Sequence, residues 1–105
     1  MSVTTDPWRA LSDGTRRELL ARVARRPSSV AELARHLPMS RPAVSQHLKV
    51  LLDAGLVEAQ KEGRQRFYAA RPDGLAALRA ELDAFWGEAL RNFKQITETT
   101  PEETP

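Results

Sequence analysis

Arg41, Ser45, Gln46 and Lys49 are the residues whose types and spacing most directly suggest chemistry, and that chemistry is recognition rather than bond making. A guanidinium fork donates two hydrogen bonds at once and matches O6 and N7 of a guanine edge. A carboxamide donates and accepts, which matches N6 and N7 of adenine, and a serine hydroxyl adapts to either. Lys49 is a point charge better suited to a phosphate. No nucleophile–base pair, glycine-rich phosphate loop or metal-ligand spacing accompanies them. The other titratable groups are scattered carboxylates and two histidines, His36 and His47. The expectation is a non-enzyme without a cofactor or metal.

These four side chains work together only if one helix presents them, and the surrounding sequence predicts that helix from Arg41 to Ala54. Ser40 caps its free amides, Pro42 is tolerated in the first turn, and Gly55 ends it. Val44, Leu48, Leu51 and Leu52 form its apolar stripe, so Arg41, Pro42, Ser45, Gln46, Lys49 and Asp53 point outward. A shorter helix precedes it, opened by the capping-box spacing Ser29-Val30-Ala31-Glu32 and stopped by Pro38, with Val30, Leu33, Ala34 and Leu37 as its buried face. Upstream, Ser12 or Asp13 caps a helix carrying Leu19, Leu20 and Val23 that ends at Pro27. A brief helical turn around Pro7–Leu11 comes first.

After Gly55 the period changes. Leu56–Glu62 and Gln65–Ala70 read as two strands around a Glu62-Gly63-Arg64-Gln65 turn. From Gly74 to about Thr97 runs a long amphipathic helix, roughly 35 Å at 1.5 Å per residue. Its apolar positions are Leu75, Leu78, Leu82, Phe85, Trp86, Ala89, Leu90, Phe93 and Ile96. The order is α-α-α-α-β-β-α: mainly helical with a small β-hairpin wing, the arrangement of a winged helix-turn-helix. Residues 1–97 are expected to form one domain and 98–105 a disordered polar tail.

Bulk properties agree with that order. The 105 residues carry a net charge of +2, but unevenly: thirteen Lys/Arg against eight Asp/Glu through Asp73, and three against six from Gly74 onward. A basic body joined to an acidic C-terminal segment suits a polyanion-binding face beside a separate association element, although an arginine-rich solvated surface gives the same count. The absence of cysteine excludes disulfides, thiol catalysis and thiolate metal or redox sensing. No apolar run is long enough to span a membrane, and MSVTTDPW lacks a signal-peptide pattern, so a cytoplasmic location is expected.

Ala10-Leu-Ser-Asp-Gly-Thr-Arg-Arg-Glu-Leu-Leu20, Val30-Ala-Glu-Leu-Ala34, Met39-Ser-Arg-Pro-Ala-Val-Ser-Gln-His-Leu-Lys-Val-Leu51, Ala54-Gly-Leu-Val57, and Glu62-Gly-Arg64 followed by Tyr68 together resemble the ArsR family of bacterial repressors. The resemblance spans roughly Trp8 to Ala70. It implies a homodimeric transcriptional repressor that binds double-stranded DNA at a partly palindromic operator, with autoregulation as one outcome. Carried over position by position, it puts base contacts on Arg41, Ser45 and Gln46, the residues already selected by the helix face. Phosphate contacts are expected from Ser40, Lys49, Lys61, Arg64 and Arg66. The alternative for the wing cations is a solvated charged turn, and the rival for the whole is a winged-helix protein-interaction module without specific DNA binding.

The chain also departs from the family pattern. Many members sense metals through cysteines on the helix matching Val30–Leu37, or through histidines and carboxylates on the last helix. Here the first reads Glu32-Leu33-Ala34-Arg35-His36-Leu37 and the second has no histidine. The expectation is the metal-independent branch. A dimer interface is expected from Trp8, Leu11, Leu78, Leu82, Phe85, Trp86, Ala89 and Phe93, because such an apolar stripe exceeds what a soluble monomer exposes. A second reading makes the aromatic stripe the lining of a pocket for a small-molecule inducer of unknown identity.

Overall fold

The computed structural model describes residues 6–99, with side chains through residue 96. Each short helix begins on a side chain that supplies the acceptor its first turn lacks. Asp6 Oδ1 accepts from Trp8 N at 3.0 Å and opens α1, Pro7–Ala10. Asp13 accepts from Thr15 N at 2.8 Å and Arg16 N at 3.3 Å to open α2, Gly14–Arg25, so Asp13 rather than Ser12 is the cap. Ser29 Oγ accepts from Glu32 N at 3.2 Å while Glu32 Oε1 accepts from Ser29 N at 3.0 Å, the full capping box of α3, Val30–Arg35. Ser40 Oγ accepts from Ala43 N at 3.3 Å and opens α4, Arg41–Asp53.

The end of α4 is equally defined. Gly55 takes a φ of 76°, and the amides of Gly55 and Leu56 donate to Leu52 O and Leu51 O, both at 3.0 Å. That is a Schellman closure, and the apolar pair it brings together, Leu51 and Leu56, is fully buried.

Strands β2 (Val57–Glu62) and β3 (Gln65–Ala70) form the expected hairpin, with Gly63 at φ 63° in a two-residue turn. The expected order needs one correction. Ser28–Ser29 form a two-residue strand, β1, that pairs antiparallel with Tyr68 and Phe67, making a three-stranded sheet in the order β1-β3-β2. Two residues carry no alternation of hydrophobicity. Their extended state comes from the partner strand, not from local pattern.

The described residues up to Leu75 form one compact unit. Its core is Ala10, Leu19, Val23, Leu33, Leu37, Val44, Leu48, Leu51, Leu56, Val57 and Tyr68. Leu20, Val30, Ala34 and Leu52, expected inside, are only half-buried. The final helix, α5, covers Pro72–Thr99, longer at both ends than expected. Most of the segment expected as a disordered tail, from residue 100 on, lies outside the described residues. From Ala76 onward α5 belongs to a second unit, and there Leu82, Phe85, Trp86, Leu90, Phe93 and Ile96 are all exposed. No described helix is long and apolar enough to cross a membrane.

Candidate nucleic-acid interface

The buried residues of α4 are Val44, Leu48 and Leu51, and the helix rests on α1, α2, α3 and β2. The same periodicity leaves Arg41, Pro42, Ser45, Gln46, Lys49 and Asp53 exposed. Arg41, Ser45 and Lys49 follow one another at four-residue intervals, and Gln46 sits beside Ser45, so they share the outward side of the helix. Arg41, at N1, and Ser40, the cap, stand at the end where the macrodipole is positive, which favours an anion such as phosphate. Lys49 is not independent on this face: its Nζ lies 3.8 Å from Asp53 Oδ2, one turn on.

His47 lies between the two sides of α4 and is half-buried. Its Nδ1 is 3.4 Å from Arg16 Nη1. A guanidinium can only donate, so Nδ1 accepts and the proton of a neutral His47 is on Nε2. Arg16 also donates from Nε to Ala10 O at 2.6 Å and approaches Asp13 Oδ2 at 3.9 Å. One side chain thus ties the end of α1 and the cap of α2 to α4. Sequence reasoning missed this role, because Arg16 stands among other arginines and its His47 partner is distant in the chain. The Asp13 carboxyl is held below the usual aspartate range chiefly by the backbone N–H of Arg16; desolvation opposes this, while the N–H of Thr15 and the charges of Arg16 and His47 assist.

The wing contributes a second cationic surface. Lys61 and Arg66 are direct cross-strand partners, so their exposed side chains stand on the same side of the hairpin, and Arg64 is in the turn. Like charges directly opposite each other weaken a hairpin, so this arrangement gives up stability for a concentrated positive edge. The structure therefore places Ser40, Arg41, Ser45, Gln46 and Lys49 on one helix, and Lys61, Arg64 and Arg66 on a hairpin of the same compact unit.

The residues expected at a dimer interface fall into two groups. Trp8 is 42% exposed and Leu11 half-buried in the first unit. In α5, Phe85 is 64% and Trp86 53% exposed, with their rings edge to face at 5.9 Å between centroids. Leu82 and Phe93 are also exposed, and Leu78 and Ala89 are half-buried.

Residues 13–59 match the family model described as bacterial regulatory protein, arsR family. The chain is 53% identical over 97 residues to the HTH-type transcriptional regulator Rv2034 of Mycobacterium tuberculosis, covering 92% of this chain and 91% of that one. It is 38% identical over 71 residues to a probable mercury resistance operon repressor of Streptomyces lividans, covering 68% and 57% of the two chains. Among solved structures it resembles an ArsR-like transcriptional regulator from Rhodococcus sp. RHA1, with a TM-score of 0.73, 37% identity and coverage of 87% and 86%. It also resembles the homodimeric winged helix-turn-helix DNA-binding domain of Mb0332 from Mycobacterium bovis, with a TM-score of 0.63, 30% identity and coverage of 77% and 75%.

Proposed function

The chain belongs to the arsR family of bacterial regulatory proteins, and from that premise we propose that it is a homodimeric, sequence-specific DNA-binding transcriptional repressor acting in the cytoplasm. The observation that carries this reading is the division of α4: Val44, Leu48 and Leu51 are buried, while Arg41, Ser45, Gln46 and Lys49 face outward. In the proposed complex the N-terminal half of α4 enters the major groove. Arg41, Ser45 and Gln46 read base edges there, while Ser40 and Lys49 hold phosphates. Lys61, Arg64 and Arg66 flank the duplex from the wing.

A repressor of this design must be two-fold, since two recognition helices about one DNA turn apart, roughly 34 Å, match a partly palindromic operator. The exposed apolar positions of α5 support self-association, and the homodimeric Mb0332 domain gives a related precedent. The releasing signal is proposed not to be a metal. Support comes from the donor set: there is no cysteine in the chain, and among the described residues no three His, Asp or Glu converge as a metal site. A second reading of the aromatic face of α5, beside the dimer interface, makes it the contact for a small-molecule inducer of unknown identity.

Footprinting on the DNA upstream of the chain's own gene tests the proposal. A protected, partly palindromic segment that is lost with Arg41→Ala is the expected result. Uniform, sequence-independent protection counts against it.

A further inference from the structure

Away from α4 and the wing, Arg22, Arg25 and Arg26 of α2 and its cap line a recess of about 230 Å³ together with Ser28, Glu32, Leu33 and His36. Arginines at positions 22, 25 and 26 are three and four residues apart, so they crowd one side of the helix, where like charges repel. The negative C-terminal pole of α2 favours a cation there, but its half-charge does not balance three.

Two of the three have internal ion-pair partners, which leaves one guanidinium unmatched. Arg22 Nη2 pairs with Glu18 Oε2 at 3.2 Å, and Arg26 Nη2 lies 3.7 Å from Glu32 Oε2. The Arg25 side chain has no ion pair or hydrogen bond among the described residues. Arg22 Nε is shut off from solvent and has no acceptor. A buried donor without an acceptor is a standing penalty, and it adds to the positive character of this end of α2. The carboxylate of Glu32 is engaged by the capping box, and the Ser28 hydroxyl donates to Arg26 O at 3.0 Å. The donors left to face the recess are therefore guanidinium groups and the imidazole of His36.

We infer that this recess is a binding site for a phosphate-type oxyanion, separate from the base-reading face. Guanidinium forks match such oxyanions in a bidentate manner. The volume lies below the roughly 300–1,000 Å³ of pockets for larger organic ligands, which restricts the occupant to a small anion or the phosphoryl end of a larger molecule. The oxyanion has two sources, a free phosphate or phosphomonoester and a backbone phosphate of bound DNA.

The test follows arginine Nε–H and backbone amide NMR signals of the full chain during titration with inorganic phosphate, and separately with duplex DNA. Saturable shifts of the Arg22 and Arg25 Nε–H signals at millimolar phosphate, weakened about tenfold in Arg25→Gln, assign the site to free anions. That outcome stands whether or not the chain binds DNA. Shifts seen only with duplex, with Arg25→Gln lowering the salt slope by about 1 and leaving sequence preference intact, assign it to a backbone phosphate. The inference is overturned if neither titrant shifts these signals saturably, or if Arg25→Gln changes neither response. Arg25 is exposed, and the variant's own amide spectrum reports that it folds.

Discussion

Gly74, in the first turn of α5, packs directly on the carbonyl of Gly55, the residue that closes α4, so closely that no side chain fits between them. The neighbouring bond from Arg71 N to Leu56 O, 2.9 Å, holds the same two backbone segments together. The entry to α5 and the exit from α4 are thus joined main chain to main chain.

Gly74→Ala must separate these segments. The expected loss is about 1–3 kcal/mol, as for an overpacked core, read as a fall of roughly 4–16 °C in melting temperature. Gly14→Ala is the control, because a Cβ there meets only Arg17 Nη2 at 3.5 Å. It should stabilise by about 0.4–1 kcal/mol. Equal effects from both substitutions contradict the packing account.

On the proposed recognition face, Arg41→Ala and Gln46→Ala should each cost about 1–3 kcal/mol at the operator and relax the preference at one base position. Fluorescence anisotropy with matched and mismatched duplexes distinguishes that loss from a uniform one.

The Lys49–Asp53 pair makes a prediction of opposite sign. Asp53→Asn releases Lys49 and removes a negative charge from the face proposed to meet DNA. Affinity should rise for every duplex tested, and most at low ionic strength. Unchanged binding across a salt series would show that Lys49 stands away from the DNA.

Phe85→Ser removes an aromatic that is 64% exposed in the single chain. If α5 forms the dimer interface, the loss is that of a central anchor, about 2 kcal/mol or more, or roughly thirtyfold in dimer dissociation. Sedimentation equilibrium reads this directly. An unaltered monomer–dimer balance would place the interface elsewhere.

Acid sensitivity follows from three carboxyls. Asp13, Glu32 and Asp73 are each held below their ordinary values, first of all by the Arg16 backbone N–H, the Ser29 backbone N–H and the Arg71 side chain respectively. A folded-state pKa below the unfolded one means the stabilisation is present above the unfolded value and is lost as pH falls through the folded value, on the acid side of the ordinary carboxylate range. Asp13→Ala should therefore lower the denaturation midpoint at pH 7, and its difference from wild type should shrink by pH 3. A difference that is constant with pH excludes the charged form as the source.

Much of the proposed interface was legible because it depends on local rules. Ser40 before Arg41-Pro42 marks a helix start, and four-residue spacing sorts Val44, Leu48 and Leu51 from Arg41, Ser45 and Lys49. Glu62-Gly63-Arg64-Gln65 marks the hairpin turn. Pro72, suited to a first helical turn, marks the start of α5 before Gly74. What stayed hidden depends on partners far along the chain: the strand at Ser28–Ser29, the reach of Arg16 to His47, and the contact of Gly74 with Gly55. None leaves a periodic trace, since each is decided by tertiary approach.

Ser29 ends β1 against Phe67 and also caps α3. Closing this edge of the sheet brings together positions roughly forty residues apart, and the intervening chain includes both helices of the recognition motif. The wing base and the start of the motif should therefore become ordered in one kinetic step, with Ser29→Ala slowing refolding as well as weakening the cap. In the proposed complex the wing cations and the outward face of α4 would then depend on the same closure, so local unfolding that releases one should release the other.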